Sequence, residues 1–490
     1  MNHSTTKFFA AARSCLALAS AALSSVLLAS VAQAAVHGIT GTTFNLTAAA
    51  EYTSQPDGTR IYSWGYGCDG SNVFLPAQAT ASNCPKMQLP GPTMIVTEGQ
   101  VVTVNLKNLL PPGAGRTSII FPGMTVASSG GASGVLTNEA PNGAAGNTVT
   151  YTFTAGKPGT YAYYSGTQPD LQIEMGLSGA IVVLPSAASV TAAACAKATG
   201  PYSLAASAYG HSDTCYQREY LFQFTEMSSQ IHEQVKAQVD ACPTAPCPQI
   251  AAVMEPYRPN YYMVNGRSMP DNMDVAYAPA YPNQPYNGNP HMHPGENVLM
   301  RVVGQGRWQH PFHFHGNHAR VLARDANLLL SQAGNRLAGP VLFTIATVSG
   351  QTVDAIFTWT GQGLNWDVYG SQPHTCNGLA GASSGFDPTT HEYCGDHGKP
   401  FPVTPPDPTI VVNGQWYAGT PYLGLQGVGN QTPEAPGTLN QNPQGGYAYM
   451  WHSHNEREIT TNNVFPGGMM MMLLIDPFPS AGQPDIDETL

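Results

Sequence analysis

The stretch "MIVTEGQVVTVNLKNL", Met94–Leu109, alternates apolar and polar residues at a period of two. That period sends one row of side chains into a core and the other toward solvent, which commits this part of the chain to half-buried β-strands. "TVTYTFTAGKPGTYAYYSG", Thr148–Gly166, repeats the signal on both sides of a Lys-Pro-Gly turn, and "SGAIVVLP", Ser178–Pro185, reads as a buried strand. Further strand-like runs follow in "REYLFQFTEM", "NVLMRVV", "FHFHGNHARVLA", "LFTIATV", "VDAIFTW", "GYAYMWHSH" and "GGMMMMLLID". With 51 Gly and 41 Pro in 490 residues, composition favours many strands and long, turn-rich loops over helices. The expected fold class is all-β, built as sandwiches or barrels.

The chain divides by composition. Residues 1–34 have the three parts of a secretory signal: Lys7 and Arg13, an apolar run to Val31, and "AQA" at Ala32–Ala34. The apolar run is short and rich in Ala and Ser, which argues against a membrane anchor, and no later segment reaches the ~18 apolar residues of a span. The expected protein is exported, periplasmic or extracellular, with no membrane span. A first β unit is expected at 35–186, an Ala/Ser/Cys linker at 187–217, a second β unit at 218–478 and a tail at 479–490. Within the second unit, 361–446 reads as an inserted loop region, rich in Gly, Pro, Asn and Gln. "SSQIHEQVKAQVDA", residues 228–241, is expected to form a short helix. The formal net charge is −11 and no basic run is present, which excludes a nucleic-acid binder.

Cys15 falls in the signal segment. The other cysteines fall as near neighbours, Cys68/Cys84, Cys195/Cys215, Cys242/Cys247 and Cys376/Cys394, and in an exported chain they read as disulfides. Eight cysteines allow 105 pairings, and neighbour pairing is the favoured one. The spacings match no zinc pattern.

Histidines concentrate in the second unit, where "HMH" (His291, His293), "HPFHFHGNH" (His310, His313, His315, His318) and "HSH" (His452, His454) occur; the first unit holds His37 alone. A strand puts residues i and i+2 on one face about 6.5 Å apart. Two His-X-His strands side by side would bring four imidazoles together, and neutral imidazole suits zinc, copper, iron and nickel. His313, His315, His452 and His454 are therefore the expected metal ligands.

"HPFHFHG" with "HSH" far downstream resembles the last domain of the multicopper oxidases. "PGPTMIVTEGQVVTVNLKN" and "GTYAYYSG…GLSGAIVVLP" resemble the start and end of their first domain. The resemblance implies two cupredoxin-like Greek-key β-sandwiches, copper as cofactor, and in two-domain relatives a homotrimer. In the family a type 1 copper takes electrons from substrate, and a Cys-His link passes them to a three-copper cluster held by four His-X-His pairs. By that match His313 falls at a type 2 position; His315, His452 and His454 fall at type 3 positions; His310 falls at a type 1 histidine. The first-domain pairs fall at Ile120 and Pro122 in "IFPG" and at Tyr164 and Gly166 in "YYSG". Ser453 stands in the place of the type 1 cysteine, and Glu458 near that of the other type 1 histidine. A type 1 site needs a soft thiolate, which a serine hydroxyl cannot supply.

Two functional classes follow. One is a copper-dependent oxidoreductase with a reduced histidine cluster, open to oxygen or a small reductant. The other is a non-catalytic copper-binding, carrier or structural module. Other positions are weaker candidates. His310, His318, Glu458, His291 and His293 are possible additional ligands or supports of the ligands. Glu456 and Glu458 read first as a solvated acidic turn, and His374, His391 and His397 as surface residues; Met469–Met472 suggest a Cu(I) site, but alternation along a strand more simply packs two of the four in the core. There is no Ser-His-Asp arrangement, phosphate loop or nucleotide motif.

Overall fold

In the computed structural model the alternation becomes burial. Along Val101–Asn108, Val102, Val104, Leu106 and Asn108 point inward while Val101 is exposed. The structure describes residues 36–399 and 447–476, apart from 71, 76–83, 144–145, 194, 196–205, 334, 365–366, 368–373 and 380–384. The proposed signal segment, the tail and most of the 361–446 insertion lie outside the described residues.

Two five-stranded sheets form the first sandwich. One runs in the order Gly159–Tyr164, Ser178–Leu184, Met94–Thr97, Gly38–Thr40, Val73–Leu75; the other in the order Arg60–Cys68, Thr43–Ser54, Val101–Asn108, Thr148–Thr154, Ala127–Gly130. Ser178–Leu184 is parallel to Met94–Thr97, and Thr43–Ser54 is parallel to Val101–Asn108. Parallel neighbours need crossovers between the sheets, so this is not a simple meander. Trp64, Tyr66, Tyr151 and Tyr163 fill the space between the sheets.

The second sandwich repeats the plan. Its larger sheet has the order Tyr261–Val264, Arg218–Met227, Asn297–Gly304, Thr352–Thr358, Ala319–Arg324, Asn327–Leu328, with Val341–Leu342 also on Ala319–Arg324. Its other sheet, here the histidine sheet, has the order His291–Met292, Met470–Ile475, Tyr447–Ser453, His310–Phe314, Thr344–Thr347. Phe222, Phe312, Phe314, Phe357 and Trp451 interlock between them. The fold is all-β, as expected, with two sandwiches of paired sheets.

The region between the sandwiches is built from both. The expected helix forms at Ser229–Ala241, and its Ile231 and Val235 join the core of the first sandwich. Arg301, fully buried, binds Glu219 at 2.8 Å and lies 3.5 Å from Asp354; Asp354 accepts from Thr160 of the first sandwich at 2.6 Å. The four neighbour disulfides form: Cys68–Cys84, Cys195–Cys215, Cys242–Cys247 and Cys376–Cys394. Among the described residues no helix is long and apolar enough to cross a membrane.

Trp451 ties packing to the histidine sheet. Its ring is fully buried against four aromatic neighbours, and its Nε1–H donates to the His315 carbonyl at 3.1 Å. Trp451→Ala should lower stability by about 3–5 kcal/mol, as large aromatic truncations in cores do. A urea midpoint within error of the parent would show that this cluster does not hold the sandwich.

Candidate metal centre

Strand register builds the site. His310–Phe314 and Tyr447–Ser453 run antiparallel, with Phe312 opposite Ser453, His313 opposite His452, and Phe314 opposite Trp451. On the other side His313 lies opposite Thr344. Residues directly opposite share a face, so the imidazoles of His313 and His452 project from one face while Phe312, Phe314 and Trp451 fill the core behind them. The chain leaves the strand at His315–Gly316. Gly316 has φ +103°, and a Cβ there would lie 3.2 Å from the Tyr449 ring, so the turn that presents His315 requires glycine.

Four rings gather. His313 stands 4.9 Å from His315, 5.3 Å from His452 and 4.8 Å from His454, centroid to centroid. His315 is 5.3 Å from His452. One nitrogen from each of His313, His315 and His452 falls within a 4.8 Å group, and all three residues are buried. His454 is about half exposed, at the rim, with Glu456 at 3.5 Å. The Nδ1 of His452 donates to the Ser453 carbonyl at 2.8 Å, and the Nδ1 of His313 is held by the Thr344 hydroxyl at 2.8 Å. The carbonyl puts the His452 proton on Nδ1 and leaves Nε2 as its ligand atom, while the Thr344 hydroxyl, which can donate or accept, holds the plane of the His313 ring.

The donor set fits a metal ion. The Nε2 atoms of His315 and His452 lie 3.3 Å apart. Two nitrogens each about 2 Å from one tetrahedral ion stand about 3.3 Å from each other. Burial, then the neighbouring His452 and His454, lowers His313 to about 4. Burial, then His313, His452 and His454, lowers His315 to about 3, and burial lowers His452. Neutral rings crowded together with their lone pairs inward are the protonation state that metal ligation needs.

Behind this face a different chemistry occupies the core side of the same strands. Ser453 donates its hydroxyl hydrogen to Glu458 at 2.5 Å. Glu458 also accepts from Asn455 Nδ2 at 2.9 Å and faces His310 Nδ1 at 3.0 Å. The opposite nitrogen, His310 Nε2, meets Glu226 at 3.0 Å. Glu226 in turn accepts from the backbone N–H groups of Arg307 (2.7 Å) and Trp308 (2.9 Å) and faces the Tyr257 hydroxyl at 3.3 Å. His310, Ser453 and Glu458 are fully buried and Glu226 nearly so. Burial alone would lower His310, but the hydrogen bonds with Glu226 and Glu458 outweigh it and raise it to about 9. His310 is an imidazolium clamped between two carboxylates.

Two expectations change in consequence. Glu458 does not sit in a solvated acidic turn: the loop folds back and buries it completely, while Glu456 stays exposed. His310 has both ring nitrogens committed to carboxylates, so in this arrangement it presents no lone pair to a metal and supports the strand instead. His291 binds Asp476 at 2.7 Å, and His293 Nδ1 meets the Asp476 carbonyl at 2.9 Å, at the sheet's far strand. His318 packs its exposed ring against Phe343 and is not in the nitrogen group. In the insertion, His374 is half-buried against Glu392 at 2.6 Å. Glu226 and Thr344 were not singled out in the sequence; no local motif marks them, and only the sheet register brings them to the site.

In the first sandwich, Ile120 and Tyr164 face each other across an antiparallel bridge. A Cβ on Gly166 would sit 2.6 Å from Ile120 Cγ2. Ile120, Pro122 and Gly166 offer no side-chain donor atom, and Gly166 has no room for one.

Residues 76–188 match the family model described as multicopper oxidase. No curated protein matches the chain. Among solved structures, the blue copper oxidase from Nitrosomonas europaea is 15% identical, over 89% of this chain and 85% of that one, with TM-score 0.46. The multicopper oxidase mgLAC is 15% identical over 91% and 88%, also at 0.46. The copper nitrite reductase from Nitrosomonas europaea is 17% identical over 65% and 85%, at 0.40.

The clamped imidazolium makes stability depend on pH. His310 titrates near 6.5 when unfolded and near 9 when folded. A raised folded value contributes stability that is complete below about pH 6.5 and is lost as pH rises through about 9. The urea midpoint should therefore fall across that window in the parent, and His310→Gln should flatten the fall. An identical pH slope in the variant would remove His310 as its source.

Proposed function

We propose, for a chain whose residues 76–188 match the multicopper oxidase family, that the second sandwich binds copper through His313, His315 and His452, with His454 at the rim. The observation that carries this is the convergence of three buried imidazoles, two of them held from behind, His313 by the Thr344 hydroxyl and His452 by the Ser453 carbonyl. Copper held there supplies one-electron redox chemistry and a Lewis acid. The protein is read as an exported copper-dependent oxidoreductase acting on oxygen and small reductants that reach the cluster past His454. Four disulfides support export to the periplasm or the extracellular space.

The chain's own residues also limit this chemistry. Ser453 and His310, which fall at type 1 positions in the resemblance, are locked into the Glu226–His310–Glu458–Ser453 network. No thiolate is present there, so the usual electron intake from bulky phenols is absent. If the protein forms a trimer, a neighbour's first sandwich would bring Ile120, Pro122, Tyr164 and Gly166 to the cluster, and these could not complete it with nitrogen. That deficit favours a second reading, a copper carrier or structural module without turnover. Copper-dependent oxygen uptake with a small reductant, followed on an oxygen electrode, separates the two.

Binding is tested by titration with Cu(II) followed by paramagnetic resonance. His313→Ala and His452→Ala should each weaken binding by at least ~10–100-fold, the loss seen when only the supports of ligands are removed. Tyr164→Ala and Pro122→Ala should leave copper content unchanged. Undiminished binding in both histidine variants would refute the site.

The copper-loaded protein should show the weak colour of a nitrogen-ligated centre and lack an intense blue band. Ser453→Cys alone should not create that band, because His310 stays bonded to Glu226 and Glu458. An intense blue colour in either protein would contradict the closed state of this pocket.

A further inference from the structure

Residues 469–472 are four consecutive methionines. Core packing explains two of them. Met469 and Met471 are fully buried in the cluster that contains Trp451 and Phe312. Their alternates, Met470 and Met472, project from the other face of the strand, the face that carries the imidazoles.

Register places these side chains closely. Met470 lies directly opposite His452, and Met472 directly opposite Met450. Opposed residues share a face about 5 Å apart, and residues two apart along a strand share it at about 6.5 Å. Met450, His452, Met470 and Met472 therefore form a two-by-two block on one face. Met470 is 7% exposed, while Met450 and Met472 are half-buried and open to solvent. Met273 adds a thioether at the sheet edge, its Sδ accepting from the Met472 N–H at 3.3 Å. Leucine would fill such positions equally well; clustered thioethers differ from it by offering soft donor atoms.

We propose that Met450, Met470 and Met472 form a thioether site for a soft monovalent ion, Cu(I), beside the histidine cluster, and that Met470 passes the ion to His452. The destination rests on the copper reading above; the thioether site does not. Transfer is a ligand exchange. A Cu–S bond to Met470 breaks as a Cu–N bond to His452 Nε2 forms, with no change of oxidation state and no proton released, because both donors are neutral.

Ag(I) serves as a redox-inert probe, with Cu(I) tested anaerobically against a competing chelator. The full chain should bind Ag(I) with sulfur scattering in its X-ray absorption spectrum, and His313→Ala should keep that binding. The triple variant Met450→Leu, Met470→Leu, Met472→Leu should lose at least ~10-fold in Ag(I) and Cu(I) affinity, while Cu(II) binding at the histidines stays at the parent value. If the triple variant does not fold, Met472→Leu at its half-exposed position gives the same test with a smaller loss. Unchanged Ag(I) affinity in the thioether variants, or no sulfur scattering in the parent, overturns the proposal. Cu(II) binding that ignores the histidine variants while Ag(I) still depends on the methionines would sink the histidine centre and leave this site standing.

Discussion

The pairing of His313 with His452 across two antiparallel strands is the constraint on which the rest of the site depends. Side chains in a strand alternate strictly, so a slip of one residue in the His310–Phe314 strand would turn His313 into the aromatic core and push Phe312 and Phe314 into solvent. Burial of those rings thus pays for the histidine geometry. Each large apolar side chain returned to the core is worth about 1.5–3 kcal/mol, and several must move together for the register to fail. The metal-binding face is held in place by the hydrophobic face behind it.

The same alternation explains the serine between His452 and His454. Position 453 must face inward, where Ser453, Glu458, His310 and Glu226 form a chain of charge-assisted hydrogen bonds. A buried carboxylate is expensive unless its lone pairs are satisfied, and here both are: Glu226 by two backbone N–H groups and His310, Glu458 by Ser453, Asn455 and His310. A small hydroxyl fits because it donates one short bond and demands little else. The strand therefore separates two chemistries, neutral nitrogen donors on one side and a closed ionic network on the other.

Much of this was legible in the sequence because period and spacing are local signals. The strand runs, the helix over 228–241, the neighbour disulfides and the grouping of His313, His315, His452 and His454 all depend on residues close in the chain or on repeated patterns. Partners set by tertiary pairing were not legible. Glu226 lies 84 positions from His310, and Thr344 meets His313 only because a third strand pairs at that register. Glu458 looked solvated because a charged run ordinarily is; its burial follows from a loop that returns to the strand end. Alternation put two of the four methionines at 469–472 in the core, but alternation alone does not say which two; the sheet pairing selects Met469 and Met471.

Arg301 carries a consequence for how the chain could have been assembled. Its guanidinium pairs with Glu219 and Asp354 of its own sandwich, yet Asp354 and Arg301 both also bind the Thr160 hydroxyl of the other. Ile231 and Val235 likewise belong by sequence to one half and by packing to the other. Cutting between the halves would expose an ionic group with a missing partner and strip a helix of its bed. The two sandwiches look like interchangeable modules in outline, but they have specialised against each other. Recombination with a foreign half would have to replace Thr160 and the bed of Ile231 and Val235 together.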